Sequence, residues 1–415
     1  MKKLSTLLTL SLVLFFTAGA WGQALPTAKP EEVGLSSERL ARIGQMVTAD
    51  IEKGRLPGAV ALIARKGRVA YFESWGLRDK ATGAPMTKDA IFRIYSMTKP
   101  FTSVAVMMLV EEGRLLLTDP VSKHLPELAK LSVGVEQVDP ETGKATFYTM
   151  AAEREMTIQD LLRHTSGLTY GVFGKSAVKE LYTKAGIDSG EHTNQELVTK
   201  LATVPLHYQP GTTWEYGRST DVLGRVVEVI SGMTLGQFLE ARIFRPLRMS
   251  DSGFWVATDK QGRIAEALPT DPDTGKPVKL LDVTAPRKFE SGGGGGVSTA
   301  GDYARFSQMM LNRGQLDGVR LLSRKTVEYM TADQLGAMKF RPGQGFGLGF
   351  QVRKEPGVAG EPGSVGEYTW GGFGGTFFWV DPKEDLIGIW MAQAPGQLSY
   401  YRPTFKNLVL QAVAD

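Results

Sequence analysis

The sequence predicts an α/β (α+β) protein in which one sheet-and-helix unit is assembled from both ends of the chain around a mainly helical insertion. Three observations predict it. Alternating apolar runs at 58–64 and 68–75 flank Lys66-Gly67, a hairpin signal. A second β-rich stretch fills the C-terminal part, with runs at 346–352, 368–370, 374–380 and 386–391. Between them, from about Thr118 to Lys288, the texture changes to short helices and loops. The expected organisation is a removable segment 1–24, an α/β domain drawn from 30–120 and 289–415, and a mainly helical domain over 121–288. No internal repeat is visible.

The first two dozen residues stand apart. Lys2-Lys3 gives a basic start, Leu4 to Phe16 is an apolar run broken only by small hydroxyls, and Ala18-Gly19-Ala20 and Gly22-Gln23-Ala24 supply small residues. This pattern predicts a signal peptide cleaved after Ala20 or Ala24, and so an exported protein, periplasmic or secreted. A membrane anchor fits less well, because the apolar run falls short of the roughly 20 residues a span needs. With no cysteine near the cleavage region, bacterial lipidation is excluded.

The remaining elements follow from local pattern. Leu35, Leu40, Ile43, Met46, Val47 and Ile51 recur at helical spacing over 35–54, with Ser36 or Ser37 as N-cap. Ala90–Tyr95 reads as a strand. Phe101–Val110 then reads as a core helix, apolar on nearly every side, ending near Gly113. In the insertion, 156–163 and 235–243 read as helices, Thr193-Asn194-Gln195-Glu196 as a capping box, and 219–231 as an amphipathic helix stopped by Gly232. Asp271–Pro286, rich in Pro, Asp and Lys, reads as an exposed loop. The five glycines Gly292–Gly296 read as a close backbone approach rather than a flexible linker, because Thr299 and Asp302 then cap a helix through Leu311. Asp381-Pro382-Lys383-Glu384 reads as a turn, and 400–413 as a closing helix.

Composition bounds the function. At 415 residues, 42% hydrophobic and 22% charged, the chain is that of an ordinary globular protein able to bury a large core. The absence of cysteine excludes thiol nucleophiles, thiolate metal sites and disulfides, so stability rests on packing. The net charge of +4 includes Lys2 and Lys3, which leaves +2 for the mature chain, and no long basic run supports nucleic-acid binding. No second long apolar segment appears, so the mature protein is expected to be free of the membrane.

Three constellations carry chemistry. Ser96-Met97-Thr98-Lys99 places a lysine three residues after a serine, on the same face of a helix. A serine hydroxyl is a poor nucleophile until a base takes its proton, and burial that lowers its pKa would let a lysine be that base. The second is Tyr216, on the segment Trp214–Asp221 after the turn Pro210-Gly211; it is a candidate general base beside Lys99 or a packing tyrosine. The third is Trp370-Gly371-Gly372-Phe373-Gly374-Gly375-Thr376. Its glycines permit close backbone approach and an N–H that could join that of Ser96 as an oxyanion hole, or they mark a β-bulge with tight sheet packing.

Taken together, Ser96-x-x-Lys99, then Tyr216 after Pro-Gly, then a three-residue strand motif ending in Gly resemble, in order and approximate spacing, the serine β-lactamase superfamily. Within it the chain looks most like family VIII carboxylesterases and their class C β-lactamase relatives. His164-Thr165-Ser166-Gly167-Leu168, Asp221–Glu228, Phe244–Met249 and Gly295–Asp302 extend the resemblance from about residue 30 to the end. It implies a β-lactamase/transpeptidase-like fold with an antiparallel sheet flanked by helices. It implies Ser96 as the acylated nucleophile, Lys99 and Tyr216 as the proton-transfer pair, and the backbone N–H groups of Ser96 and Phe373 as the oxyanion hole. Trp370, Gly371, Gly372 and Arg218 are then substrate-binding positions, and neither cofactor nor metal is implied. Two departures matter. Arg218 stands where a class C enzyme usually has Asn, and Trp370-Gly371-Gly372 where it has Lys-Thr-Gly. An indole cannot grip a β-lactam carboxylate, and Arg218 is expected to point outward. The expected substrate is therefore a neutral, short-chain ester, with weak β-lactam hydrolysis as a side activity.

Other chemistries fit the sequence less well. The four histidines, His124, His164, His192 and His207, show no H-E-x-x-H or paired spacing, which argues against a metal hydrolase; His164 reads as a structural residue of its loop. No G-x-S-x-G elbow occurs, which argues against a Ser-His-Asp hydrolase. An inactive penicillin-binding-like protein would be expected to have lost Ser96, Lys99 or Tyr216. A class C-like β-lactamase or a D-alanyl-D-alanine peptidase would share the chemistry and differ only in its pocket.

Overall fold

Strand β1 (Gly58–Arg65) carries an unbroken apolar run. In the computed structural model, which describes residues 24–138, 140–143 and 145–415, every residue of it is buried. Side chains alternate across a strand. Val60, Leu62 and Ala64 enter one hydrophobic core, and Ala59, Ala61 and Ile63 enter another on the opposite face. A strand buried on both sides has to lie inside its sheet. The other strands are β2 (Arg68–Asp79), β3 (Ala84–Pro85), β4 (Gln344–Phe346), β5 (Gln351–Arg353), β6 (Tyr368–Gly372), β7 (Thr376–Asp381) and β8 (Leu386–Ala392). Their spatial order is β4-β5-β6-β7-β8-β1-β2-β3, with every neighbouring pair antiparallel. The two chain ends meet where β1 pairs with β8, from Ala59 opposite Ala392 to Arg65 opposite Leu386. The β1–β2 hairpin turns at Lys66 and Gly67, whose φ values of 53° and 72° suit a tight two-residue turn.

Helices α1 (Ser37–Glu52), α4 (Ala300–Leu311) and α5 (Leu398–Leu410) pack on the sheet, while α2 (Lys99–Glu111) and α3 (Ser219–Ser231) pack on each other. Helix α1 starts where the Ser36 hydroxyl accepts from Arg39 N–H, and it buries Leu40, Ile43 and Val47 in the core it shares with α5. On the other face, every residue of α2 from Lys99 to Leu109 is buried. Phe101 packs there against Phe244, Tyr303 and Phe306 at ring separations of 4.7–5.2 Å. Helix α3 stops at Gly232, which takes φ 73°.

Several expectations need correction. Ser96 does not sit on the α-helix: it lies in a 3-10 turn, Tyr95–Thr98, and α2 begins at Lys99. The expected strand Ala90–Tyr95 shrinks to Phe92–Arg93, paired with Val297–Ser298. Within 121–288 the chain also forms a hairpin, Ser132–Val138 with Ala145–Ala151, that a helical reading missed. The segment 271–286 is not wholly exposed, since Val283 is buried and Leu281 N–H donates to Tyr95 Oη. Residues 1–23 of the expected signal segment lie outside the described residues.

Candidate active site

The nucleophile candidate is presented by a strained turn. Tyr95, immediately before Ser96, holds φ 43°, a left-handed conformation that costs a non-glycine residue about 1–2 kcal/mol. Contacts on both sides hold it there: its hydroxyl accepts from Leu281 N–H at 3.0 Å, and its ring meets Phe373 edge-on at 5.7 Å. In the 3-10 turn, residues three apart eclipse one another. Lys99 Nζ accordingly reaches Ser96 Oγ at 3.3 Å.

Lys99 is fully buried, and its ammonium donates to Gly293 O at 2.6 Å and to Tyr170 Oη at 3.2 Å. It also lies 4.5 Å from the Tyr216 ring centroid. Burial opposes the ammonium, but Tyr170, Tyr216 and Asp221 outweigh it and hold Lys99 above its ordinary pKa. This corrects the expectation that burial would make the lysine a base. The nearer group is Tyr216, whose hydroxyl donates to Ser96 Oγ at 2.6 Å.

Tyr170 went unnoticed in the sequence, two residues beyond the His164–Leu168 segment. It is buried between Lys99 and Arg218, its ring 4.8 Å from the Arg218 guanidinium and 5.3 Å from the Tyr216 ring. Burial pushes its phenol up to about 12 despite Lys99, so at neutral pH it stays protonated. His164 packs on Tyr216 at 5.2 Å, and burial together with Lys99 lowers its pKa well below that of an ordinary histidine. Its role is structural: its carbonyl accepts Glu215 N–H at 2.9 Å, in the segment that carries Tyr216.

Arg218 does not point outward, nor does it offer an unpaired charge. It is 9% exposed, and its guanidinium binds Asp188 at 2.7 Å and Asp221 at 3.2 Å. Asp221 also accepts from Ser291 Oγ and from Gly293 N–H at 3.0 Å. The glycine run is the close approach expected. A Cβ on Gly293 would sit 2.8 Å from Asp221 Oδ2. The buried Asp221 was detectable in principle, because a carboxylate in the first turn of an apolar helix is costly without partners.

On the sheet side, Gly372 lets β6 abut the nucleophile turn: a Cβ there would fall 2.2 Å from Ile94 O. This contact sets the end of β6 against the segment that leads into the Ser96 turn. Phe373 itself is half-exposed and lines the cleft. Trp370, expected as a substrate-binding position, sits beside the cleft over Ser96 rather than in its lining. Its ring backs Tyr216 at 5.5 Å and Phe346 at 5.3 Å, and with Gly371 it lines a neighbouring groove that contains Arg402. The cleft over Ser96 measures about 500 Å³, and Tyr95, Phe173, Tyr216, Phe289 and Phe373 give it aromatic walls.

A family model described as beta-lactamase matches residues 43–412. The chain is 37% identical to Protein Rv1367c of Mycobacterium tuberculosis (strain ATCC 25618 / H37Rv), over 84% of this chain and 88% of that protein. It is 32% identical to Esterase EstB of Burkholderia gladioli, over 82% of this chain and 87% of that protein. Among solved structures, EstCE1, described as a hydrolase with promiscuous acyltransferase activity, matches with a TM-score of 0.75 at 26% identity, covering 91% of this chain and 99% of that one.

Proposed function

The chain belongs to the beta-lactamase family and is a serine hydrolase of that family, and from this premise we propose that it is exported and cleaves short-chain carboxylic esters through an acyl-enzyme on Ser96. One observation carries the reading: Ser96 Oγ lies 2.6 Å from the Tyr216 hydroxyl and 3.3 Å from Lys99 Nζ. Preference for esters over β-lactams rests on the missing strand lysine and the pairing of Arg218, with Arg287 the cationic side chain that still lines the cleft. The strand position expected to hold a carboxylate is Trp370, and Arg218 is neutralised by two aspartates. The similarity to an esterase at 32% identity supports the same substrate class.

The steps follow from the contacts. The Lys99–Tyr216 pair first gives up one proton, leaving the cation beside a tyrosine oxygen able to accept another. Ser96 Oγ attacks the ester carbonyl carbon as its proton passes to that oxygen, and the carbonyl oxygen takes the negative charge between the Ser96 and Phe373 N–H groups. The C–O bond then breaks, Tyr216 returns the proton to the departing alcohol, and the acyl group stays on Ser96. Water repeats the sequence, releasing the acid and restoring the serine. Lys99 remains an ammonium throughout and stabilises the charge that appears on Tyr216.

A comparison of kcat/KM for p-nitrophenyl butyrate, nitrocefin and a D-alanyl-D-alanine peptide tests the assignment. The ester is expected to lead by at least about tenfold; a lead for either of the others gives the protein to a β-lactamase or a peptidase. A fluorophosphonate should add one mass adduct, on the Ser96 peptide, and Ser96→Ala should lose roughly 10³-fold or more of turnover. Export is read from the N-terminus of the protein recovered outside the cytoplasm, expected at Trp21 or Leu25.

A further inference from the structure

The geometry assigns Asp221 a task that goes beyond the acyl-transfer reading it rests on: we propose that Asp221 is the positioning residue for Lys99, fixing the Gly293 carbonyl on which the ammonium sits and, balanced by Arg218, setting the charge that the ammonium faces. The chain of contacts is continuous. Asp221 accepts from the N–H of Gly293, and the carbonyl of the same residue accepts from Lys99 Nζ at 2.6 Å. The carboxylate cannot drift, because Arg218 holds one of its oxygens while Ser291 Oγ and Gly293 N–H hold the other. Nor can Gly293 swing toward it without closing the gap that only the missing side chain leaves open.

The groups facing Lys99 come from four places. Tyr170 lies on the loop after His164, Tyr216 on the segment before α3, Asp221 on the first turn of α3, and neutral His164 behind Tyr216. Asp221 is the carboxylate among them. Glu215 is taken up by Lys179 and His207. On the far side of Asp221, Arg218 is shared with Asp188, whose side chain is 10% exposed. Lys99, Asp221, Arg218 and Asp188 thus alternate in sign along one side of the cleft, whose lining also holds Arg287. Removing a negative member makes it easier for the Lys99–Tyr216 pair to lose a proton, and removing a positive member makes it harder.

Opposite signs are what the experiment reads. The rate of Ser96 labelling by a fluorophosphonate, followed against pH, reports the nucleophile and its base without requiring ester turnover. For Asp221→Asn the profile should move toward acid by about one pH unit, the scale of a neighbouring opposite charge. For Arg218→Met it should move toward alkali. The double variant should return close to the wild-type position, although its maximal rate stays low. A role confined to packing would lower the rate or the melting temperature and leave the profile in place. An unmoved profile, or the same direction for both single variants, overturns the assignment. If Asp221→Asn does not fold, Asp188→Asn carries the test from the other side of Arg218, with a smaller shift toward acid expected and no shift refuting it. Loss of ester hydrolysis with labelling and its shifts intact would strike the substrate reading alone.

Discussion

Replacing Gly372 by alanine should damage catalysis far more than folding. The added Cβ would lie 2.2 Å from Ile94 O and 2.3 Å from Thr376 Oγ1, where ordinary contact begins at 3.4 Å. Neither neighbour can yield cheaply. Ile94 O is backbone in the turn leading to Ser96, and Thr376 is fully buried. Strand β6 must therefore withdraw by about 1.2 Å, taking the Phe373 N–H away from the Ser96 N–H. Overpacking of this kind costs about 1–3 kcal/mol, a fall of a few degrees in melting temperature for a chain of this size. A misplacement of about 1 Å at reacting groups costs on the order of 10²-fold in rate. The loss should appear in kcat with KM little changed, because the oxyanion exists only in the transition state. Steady-state kinetics on p-nitrophenyl butyrate, with calorimetry on the same preparation, decide the matter. If Gly372→Ala keeps more than about half of the wild-type kcat, the oxyanion site is not built across this contact.

Three further outcomes are expected. Lys99→Ala and Tyr216→Phe should each slow acylation strongly, with the double variant little worse than the poorer single one, since residues acting as a unit are non-additive; fully additive losses would separate their roles. Trp370→Lys should raise the ratio of cephalosporin to ester turnover, and an unchanged ratio measured with nitrocefin and p-nitrophenyl butyrate would show that the indole does not set the preference. Asp160 is buried, which alone would raise its pKa, but Arg154, Arg163 and the Thr157 N–H bring it down to about 2. Its stabilisation, about 2 kcal/mol from that displacement, is present above the unfolded value near 3.8 and is lost as pH falls toward about 2. Asp160→Asn should therefore lower the melting temperature at pH 6 and flatten its decline between pH 4 and pH 2; an unchanged slope in differential scanning calorimetry would refute the linkage.

Elements defined by short-range pattern were legible in the sequence. Helix α3 matches its expected limits, Ser219–Ser231, because its apolar period and terminal glycine are both local. The β1–β2 hairpin was marked by Lys66-Gly67, and the glycine run by the caps that follow it. The hairpin 132–151 was passed over although Tyr148, Met150 and the valines alternate there, because its polar strands mimic loop composition. In the site, Ser96, Lys99 and Tyr216 were readable from motif and order. Tyr170, Asp188 and the office of Asp221 were not, since their meaning lies in contacts across 30 to 72 residues of chain that no spacing rule encodes. Arg218 was misread for the same reason: its partner Asp188 is 30 residues away.

The seam between β1 and β8 has a consequence for how the protein is made. Residues near the start of the chain pair with residues more than 300 positions later, so a ribosome releases β1 long before its partner exists. Until then β1 and β2 form a hairpin whose open edge is buried in the finished molecule and unprotected in the nascent one. The turn bearing Ser96 emerges in the same early portion, whereas Gly372 and Phe373 arrive near the end. Assembly of the reactive centre is thus deferred until almost the whole chain has left the ribosome, and the unfinished intermediate presents apolar strand to whatever it meets. A chaperone that covers the edge at Gly58–Arg65 would guard the longest strand pairing between the two ends of the chain.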